Sequence, residues 1–306
     1  MTIITKSCAV LVGIMLFSGY AFAASATKES TEAGIKESSD IGSHISLEKN
    51  SEKSIGDIRV EKMCNSVTMI NFFGYGTNIG LVTNEQYTLL IDPVPGHQKF
   101  NLLTNIIKSV SDKPVKYIIN THRHPDHSGG NQYFTDLGAR VLNFNQSTAE
   151  TDAILAQFNL TVTPVNSHTE RDLLIFHQGC NIVFTGDVFD NSWHPTFYSG
   201  GLDGLSQSVA VINQRSNKLT QIVPGHGPLA NLAVLNSFKE NTVYWVKQVL
   251  IQQKKGLNVE QIAQQQAIQD AAKRFDTQGR ERFISREQLE RFISRTIEYV
   301  LPKLSK

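Results

Sequence analysis

The sequence predicts an α/β fold: sheets with helices packed outside them, extended at the C-terminal end by helices alone. Two observations carry this. From Ile58 onward, short apolar or alternating runs come first as a meander and then alternate with helical patterns. From about Asn231 the apolar spacing is helical. A chain of 306 residues, 40% hydrophobic and 19% charged, suits one large folded domain or two small ones.

The elements follow in order. VTMINF (67–72), NIGLVT (78–83) and YTLLIDP (87–93) read as antiparallel strands broken by GYGT and NEQ. QKFNLLTNIIKSV (98–110) has apolar residues at helical spacing, and VKYIIN (115–120) reads as a buried strand. GNQYFTDLGA (130–139) reads as a helix, VLNF (141–144) as a strand and STAETDAILAQF (147–158) as a helix. TVTPVN (161–166), DLLIFH (172–177) and NIVFTGD (181–187) read as strands. GLSQSVAVINQR (204–215) then reads as a helix, LTQIVP (219–224) as a strand, and SFKENTVYWVKQVL (237–250) as the clearest of the later helices. ERFIS occurs twice, at 281–285 and 290–294. It reads as a coincidence on one amphipathic helix whose Arg and Glu residues form a solvated face.

The N-terminal end has a different character. MTIITK, the apolar CAVLVGIMLFSGYAF and the small-residue AFAA have the layout of a secretory signal peptide over residues 1–23, cleaved after Ala23. The expected location is therefore periplasmic or secreted. Cys8 lies inside the apolar run, which argues against a lipoprotein. Residues 24–57, rich in Ser, Lys and Glu, read as a flexible leader in which His44 is merely solvated. Beyond the signal no run approaches the roughly 20 apolar residues of a membrane span. The net charge of +1 gives no argument for nucleic acid as a partner. Cys64 and Cys180 remain after cleavage. In an oxidising compartment they pair, or they stay as two buried thiols; the sequence leaves both open.

The chemistry is concentrated in 121-THRHPDHSGG-130, which holds three of the chain's nine histidines. His122 and His124 are two apart, so on an extended segment both imidazoles point the same way. Pro125 stops a helix and stiffens the turn. Asp126 and His127 point elsewhere, toward a second ion nearby. Gly129 and Gly130 keep bulk away from the ions. Imidazole with carboxylate suits zinc, with iron or manganese possible. Further ligands must come from other strand ends, and His168, Asp187 and His226 each follow an apparent strand.

These residues resemble the metallo-β-lactamase-fold hydrolase superfamily from about Ile58 to the C-terminus. THRHPDHSGGN, a later His-Thr, FTGD and PGHG stand in the order of that family. The resemblance implies a four-layer αββα sandwich over residues 58–306, with C-terminal helices included, and a dinuclear site. His122, His124 and His168 would bind the first metal, Asp126, His127 and His226 the second, and Asp187 would bridge them. Asp92 would support the metal loop from behind. Many members set the third histidine between glycines; here it stands in NSHTERD. His177 competes for its place but reads as structural, as do His97 and His194. Trp193, His194, Phe197 and Tyr198 are candidates for lining the pocket.

The implied activity is that of a hydrolase with two Zn2+ ions whose shared hydroxide cleaves an ester, thioester, lactone or β-lactam bond in a small molecule. Asp126 would be the catalytic side chain, orienting the nucleophile and moving its proton. Cys180 is given no catalytic part. A bridging Asp187 resembles thioesterases and lactonases of the superfamily more than its β-lactamases. Two other classes stay open: a mononuclear-iron, sulfur-oxidising oxidoreductase on the same fold, and a non-catalytic metal-binding protein. Oligomeric state is not legible.

Overall fold

Strands that are apolar at nearly every position must be covered on both faces. Val67–Phe72 (β3), Asn78–Thr83 (β4), Asp172–His177 (β9) and Ile182–Gly186 (β10) are of this kind, with almost every residue buried. In the computed structural model, which describes residues 52–55, 58–72, 76–95, 99–144 and 148–300, these strands lie in two sheets stacked on each other.

The first sheet runs β1 to β7 in order, adding Glu52–Ile55 (β1), Ile58–Lys62 (β2), Thr88–Ile91 (β5), Val115–Ile119 (β6) and Arg140–Val141 (β7). It is antiparallel as far as β5, and then β5, β6 and β7 are parallel. The second sheet has the order β11-β10-β9-β8, with Leu160–Val165 (β8) and Gln221–Pro224 (β11) at its edges. Its β10 and β11 are parallel. Met69, Leu89 and Ile119 of the first sheet share one buried cluster with Ile175, Phe184 and Val223 of the second.

Each outer face is closed by helices. Phe100–Val110 (α1) and Asn131–Asp136 (α3) cover the first sheet through Leu103, Ile106, Ile107 and Phe134. Between them lies the single turn Pro125–Ser128 (α2). Ala149–Gln157 (α4) packs its Ile154 and Leu155 into the cluster between the sheets. Gly201–Arg215 (α5) and Leu232–Lys254 (α6) cover the second sheet, with Val209, Ile212, Trp245 and Val249 fully buried. Val259–Ala263 (α7), Gln266–Lys273 (α8) and Arg286–Tyr299 (α9) extend that layer. The result is the expected αββα sandwich with C-terminal helices. No helix among the described residues is long and apolar enough to cross a membrane.

Four expectations change. β1 lies inside the stretch read as leader, where four main-chain pairings with β2 supply what its composition does not. Pro125 starts a helical turn rather than stopping one; at the first position its missing N–H costs nothing. A Cβ on Gly130 would meet the Pro93 carbonyl oxygen at 1.9 Å, so that glycine admits backbone rather than ions. The first ERFIS, 281–285, is a loop, and only the second is helical. Ser285 and Gln288 form a capping box that starts α9 after the first copy.

Cys64 and Cys180 are joined by a disulfide with Cα atoms 6.1 Å apart. His177 takes the Cys180 N–H on Nδ1 (3.0 Å) and meets Ser66 Oγ through Nε2 (3.2 Å), a structural role beside that bridge. The signal peptide expected over 1–23, most of the leader, His44 and His97 lie outside the described residues.

Candidate metal centre

Five of the site's residues follow strand ends at one edge of the sandwich. Asp92 follows β5, Thr121 and His122 follow β6, Asp187 follows β10 and His226 follows β11. These four strands are parallel in pairs, and open α/β sheets gather ligands beyond such carboxyl ends.

The His-rich loop is fixed from behind. Asp92, buried and at a φ of 50°, accepts from the Thr121 N–H (2.7 Å), the Thr121 hydroxyl (2.6 Å) and His127 Nδ1 (2.9 Å). Asn120 Nδ2 donates to the His127 carbonyl (2.8 Å), and Asn131 donates to Asn120 (2.7 Å). His124 is extended at the mouth of α2, so Asp126 and His127 leave the first helical turn in different directions.

The seven ligand-type side chains converge. His124 Nδ1 lies 3.0 Å from His122 Nε2 and 3.0 Å from His168 Nε2. Asp187 Oδ2 lies 3.8 Å from His122 Nε2 and 3.5 Å from His168 Nε2. Its other oxygen lies 2.9 Å from His127 Nε2 and 3.6 Å from His226 Nε2. Asp126 Oδ2 is 4.0 Å from His127 Nε2 and 3.5 Å from His226 Nε2. Two groups result, His122–His124–His168–Asp187 and Asp126–His127–Asp187–His226, each with its donor atoms within 4.8 Å of one another and Asp187 common to both.

Proton bookkeeping shows that these groups fit cations. The Thr121 hydroxyl spends its proton on Asp92, so its contact with His122 Nδ1 (3.2 Å) takes the ring proton and leaves His122 Nε2 bare. His168 Nδ1 donates to the Thr196 carbonyl (2.8 Å), which leaves His168 Nε2 bare as well. Both bare nitrogens lie 3.0 Å from His124 Nδ1, where a single ring proton can serve only one of them. His127 Nε2 and Asp187 Oδ1 are buried without a hydrogen-bond partner of proper geometry. Histidines held in this way by a carboxylate or carbonyl on the far nitrogen are the usual form of a metal ligand.

The electrostatics divide the site. Burial lowers His122, His124 and His168, favouring the neutral ring that a metal needs. Burial opposes the charged form of His226, but Asp187 and Asp126 outweigh it and raise it to about 9. Burial also opposes His127⁺, and Asp187 with Asp92 raises it nonetheless. The His226 hydrogen bond lowers Asp126 to about 2. With 56% of its side chain exposed, Asp126 stands ionised at the cavity wall.

His168 lies in a loop without flanking glycines, and Asp172 does their work. Its carboxylate takes the Ser167 N–H (3.1 Å), the Thr169 N–H (3.0 Å) and the Thr169 hydroxyl (2.7 Å). Burial pushes Asp172 up to about 6 despite these donors. A Cβ on Gly204 of α5 would meet the Asn166 carbonyl oxygen at 2.1 Å, so that glycine lets the helix seat the loop.

Beside the metal groups lies a cavity of about 450 Å³, lined by the ligands and by Asp190, Trp193, Thr196, Tyr198 and Arg291. Tyr198 stacks edge-on to His124 and His168. Trp193 and Tyr198 thus line it, as the sequence suggested, whereas His194 and Phe197 do not. Phe197 is in the core, and His194 is buried against Phe292, Trp245 and Phe275. Asp190 and Arg291 were not legible as site residues. Asp190 accepts the His226 N–H (3.1 Å) and is raised well above the usual carboxylate range, first by burial and then by Asp187. The spacing 187-DVFD-190 was its one available signal.

The chain is similar to several known proteins. The profile of the metallo-beta-lactamase superfamily matches residues 73–139. The metallo-beta-lactamase type 2 of Elizabethkingia meningoseptica is 33% identical over 204 residues, 56% of this chain and 79% of that protein. The hydroxyacylglutathione hydrolase of Pelagibacter ubique is 27% identical over 135 residues, and the match spans only 56% of that protein. A solved metallo-beta-lactamase from Pontibacter korlensis superposes with a TM-score of 0.47 at 20% identity, over 60% of this chain and 99% of that one. With the first of these relatives matched over 79% of its length, the chain belongs to the metallo-β-lactamase superfamily.

Proposed function

We propose that the protein is a dinuclear zinc hydrolase of small acyl compounds, cleaving an ester, thioester, lactone or β-lactam bond. One observation carries the reading: two His/Asp groups share the single carboxylate of Asp187. His122, His124 and His168 would hold one ion, Asp126, His127 and His226 the other, and Asp187 both. Bound there, the ions would bring the pKa of a coordinated water toward neutrality and polarise the substrate carbonyl.

The chain's own residues supply the rest. Asp92 keeps a proton on His127 Nδ1 and so turns Nε2 toward the site. The Thr196 carbonyl does the same for His168. Asp126, ionised and exposed, takes and returns the proton of the attacking water at its carboxylate. Tyr198 and Trp193 wall the cavity beside it.

The relatives' names, a β-lactamase and a hydroxyacylglutathione hydrolase, support acyl substrates over phosphodiesters. The complete second group supports two ions over one iron, and an open cavity with exposed Asp126 supports catalysis over metal storage.

The test is metal quantification on the purified protein beside a panel of β-lactam, thioester, lactone and phosphodiester substrates. Two zinc ions per chain and chelator-sensitive turnover of an acyl substrate are expected. A single iron with oxygen uptake would contradict the reading.

A further inference from the structure

The Cys64–Cys180 bridge lies at the far end of β9 from Asp172 and the His168 loop, and it carries contacts that bracing two sheets does not require. Ser66 Oγ lies 3.5 Å from Cys180 Sγ, 3.6 Å from Cys64 Sγ and 3.2 Å from His177 Nε2. Sulfurs joined to each other carry no proton, so toward both of them the hydroxyl is the donor. The histidine fixes that direction. Burial holds His177 below its ordinary value, so the ring is neutral and carries one proton. Nδ1 accepts the Cys180 N–H (3.0 Å), which puts the proton on Nε2. Nε2–H therefore donates to Ser66 Oγ, and the Ser66 hydroxyl turns its own proton to the sulfurs.

The turns on either side are held by main-chain bonds that do not pass through the bridge. The Met63 and Cys64 N–H groups donate to the Val67 carbonyl (2.9 and 3.2 Å), and the Thr83 N–H donates to the Ser66 carbonyl (2.8 Å). Opposite them, the Gln178 N–H donates to the Asn159 carbonyl (3.0 Å) and the Gln221 N–H to the Asn181 carbonyl (3.0 Å). The donor chain thus keeps its place while the S–S bond breaks. Cys64 and Cys180 are only partly buried, which leaves them a side open to a small molecule. A disulfide exchanges by attack of a thiolate, and faster when the departing sulfur is a weaker base. A hydroxyl already aimed at that sulfur, and backed by an imidazole N–H, makes it one.

We propose that the bridge is an exchange site for small-molecule thiols, with Ser66 stabilising the departing thiolate. The incoming thiolate bonds to one bridge sulfur and the Cys64–Cys180 bond breaks. Its electron pair leaves on the other sulfur, which the Ser66 hydroxyl reaches whichever of the two it is. A second thiolate displaces the first from the mixed disulfide. Two cysteine thiols and one oxidised dimer of the small thiol result, the cysteines taking their protons from water. His177 holds the Ser66 hydroxyl in its donating direction and gives up no proton. Exchange needs neither the metals nor the hydrolase chemistry, since no sulfur belongs to the metal groups.

The test uses the zinc-loaded full chain as wild type, S66A and S66T, with circular dichroism to check folding. Mercaptoethanol is added over a concentration series at neutral pH without denaturant. Free cysteines and mixed disulfide are trapped in acid and counted by mass spectrometry. The wild type is expected to open in proportion to the thiol, through a mixed disulfide. In S66A the second-order rate constant is expected to fall about tenfold, while S66T, which keeps the hydroxyl, stays near the wild type. S66A opening as fast as wild type would overturn the proposal. So would a wild-type rate that ignores the thiol concentration, because the bridge would then open only as the chain unfolds. That second measurement decides the matter if S66A fails to fold.

Discussion

At the scale of single residues, Asp92 decides how the metal loop is held. One carboxylate collects Thr121 and His127 from a left-handed backbone position that costs energy and persists only where the surroundings impose it. Asp92→Ala should weaken zinc binding about 10- to 100-fold, read by chelator competition. Asp126→Asn should behave differently. Turnover falls about 100-fold or more while much of the zinc remains, because the first ion keeps its four partners and the second keeps His127, His226 and Asp187. The proton balance gives a third expectation. In the metal-free protein His226, raised to about 9, is protonated at pH 7, as is His127. Zinc must displace those protons, so its affinity should rise with pH up to about 9 and its binding should release protons. Calorimetry in buffers of different ionisation enthalpy reads this; no release at pH 7 would refute it. By the same linkage, folded His226 holds its proton more tightly than the unfolded chain does. It stabilises the metal-free protein fully below its ordinary 6.5 and loses that contribution as pH rises toward 9. The ligands were legible because imidazole and carboxylate at strand ends have few other uses. Asp190 and Arg291 were not, because their types are common on any surface and only the fold turns them inward.

At the scale of elements, α5 and the His168 loop form one unit. The Gly204 contact with the Asn166 carbonyl leaves no room for a methyl group. Gly204→Ala should destabilise the fold by about 1–3 kcal/mol in urea unfolding and weaken zinc binding by shifting His168. Apolar runs made most strands and helices legible, with β3 and β9 matching their sequence runs at both ends. What failed was local. ERFIS is loop in one copy and helix in the other, since a cap and the packing of Phe292 and Ile293 decide it rather than propensity. β1 has no apolar signature, because an edge strand can be held by its ladder alone.

At the scale of the whole molecule, the Cys64–Cys180 bridge joins the turn before β3 to the turn after β9, across the two sheets and 116 residues of sequence. Replacing both cysteines by serine should cost about 2–4 kcal/mol in thermal or denaturant unfolding. Zinc stoichiometry should survive, since neither sulfur is part of the metal groups. The pairing was not legible, because two distant cysteines carry no information on distance until the sheets stack. The layered architecture rested on recognising the motif order, as spacing alone reached only sheets with outer helices. Everything at this scale serves the convergence of seven side chains, drawn from residues 122 to 226, on two adjacent points. Diffraction from zinc-loaded crystals above and below the zinc absorption edge tests that convergence directly. Two anomalous peaks are expected, one among His122, His124 and His168 and one among Asp126, His127 and His226, with Asp187 reaching both at about 2.0–2.2 Å. A single peak, or peaks away from these residues, would contradict it.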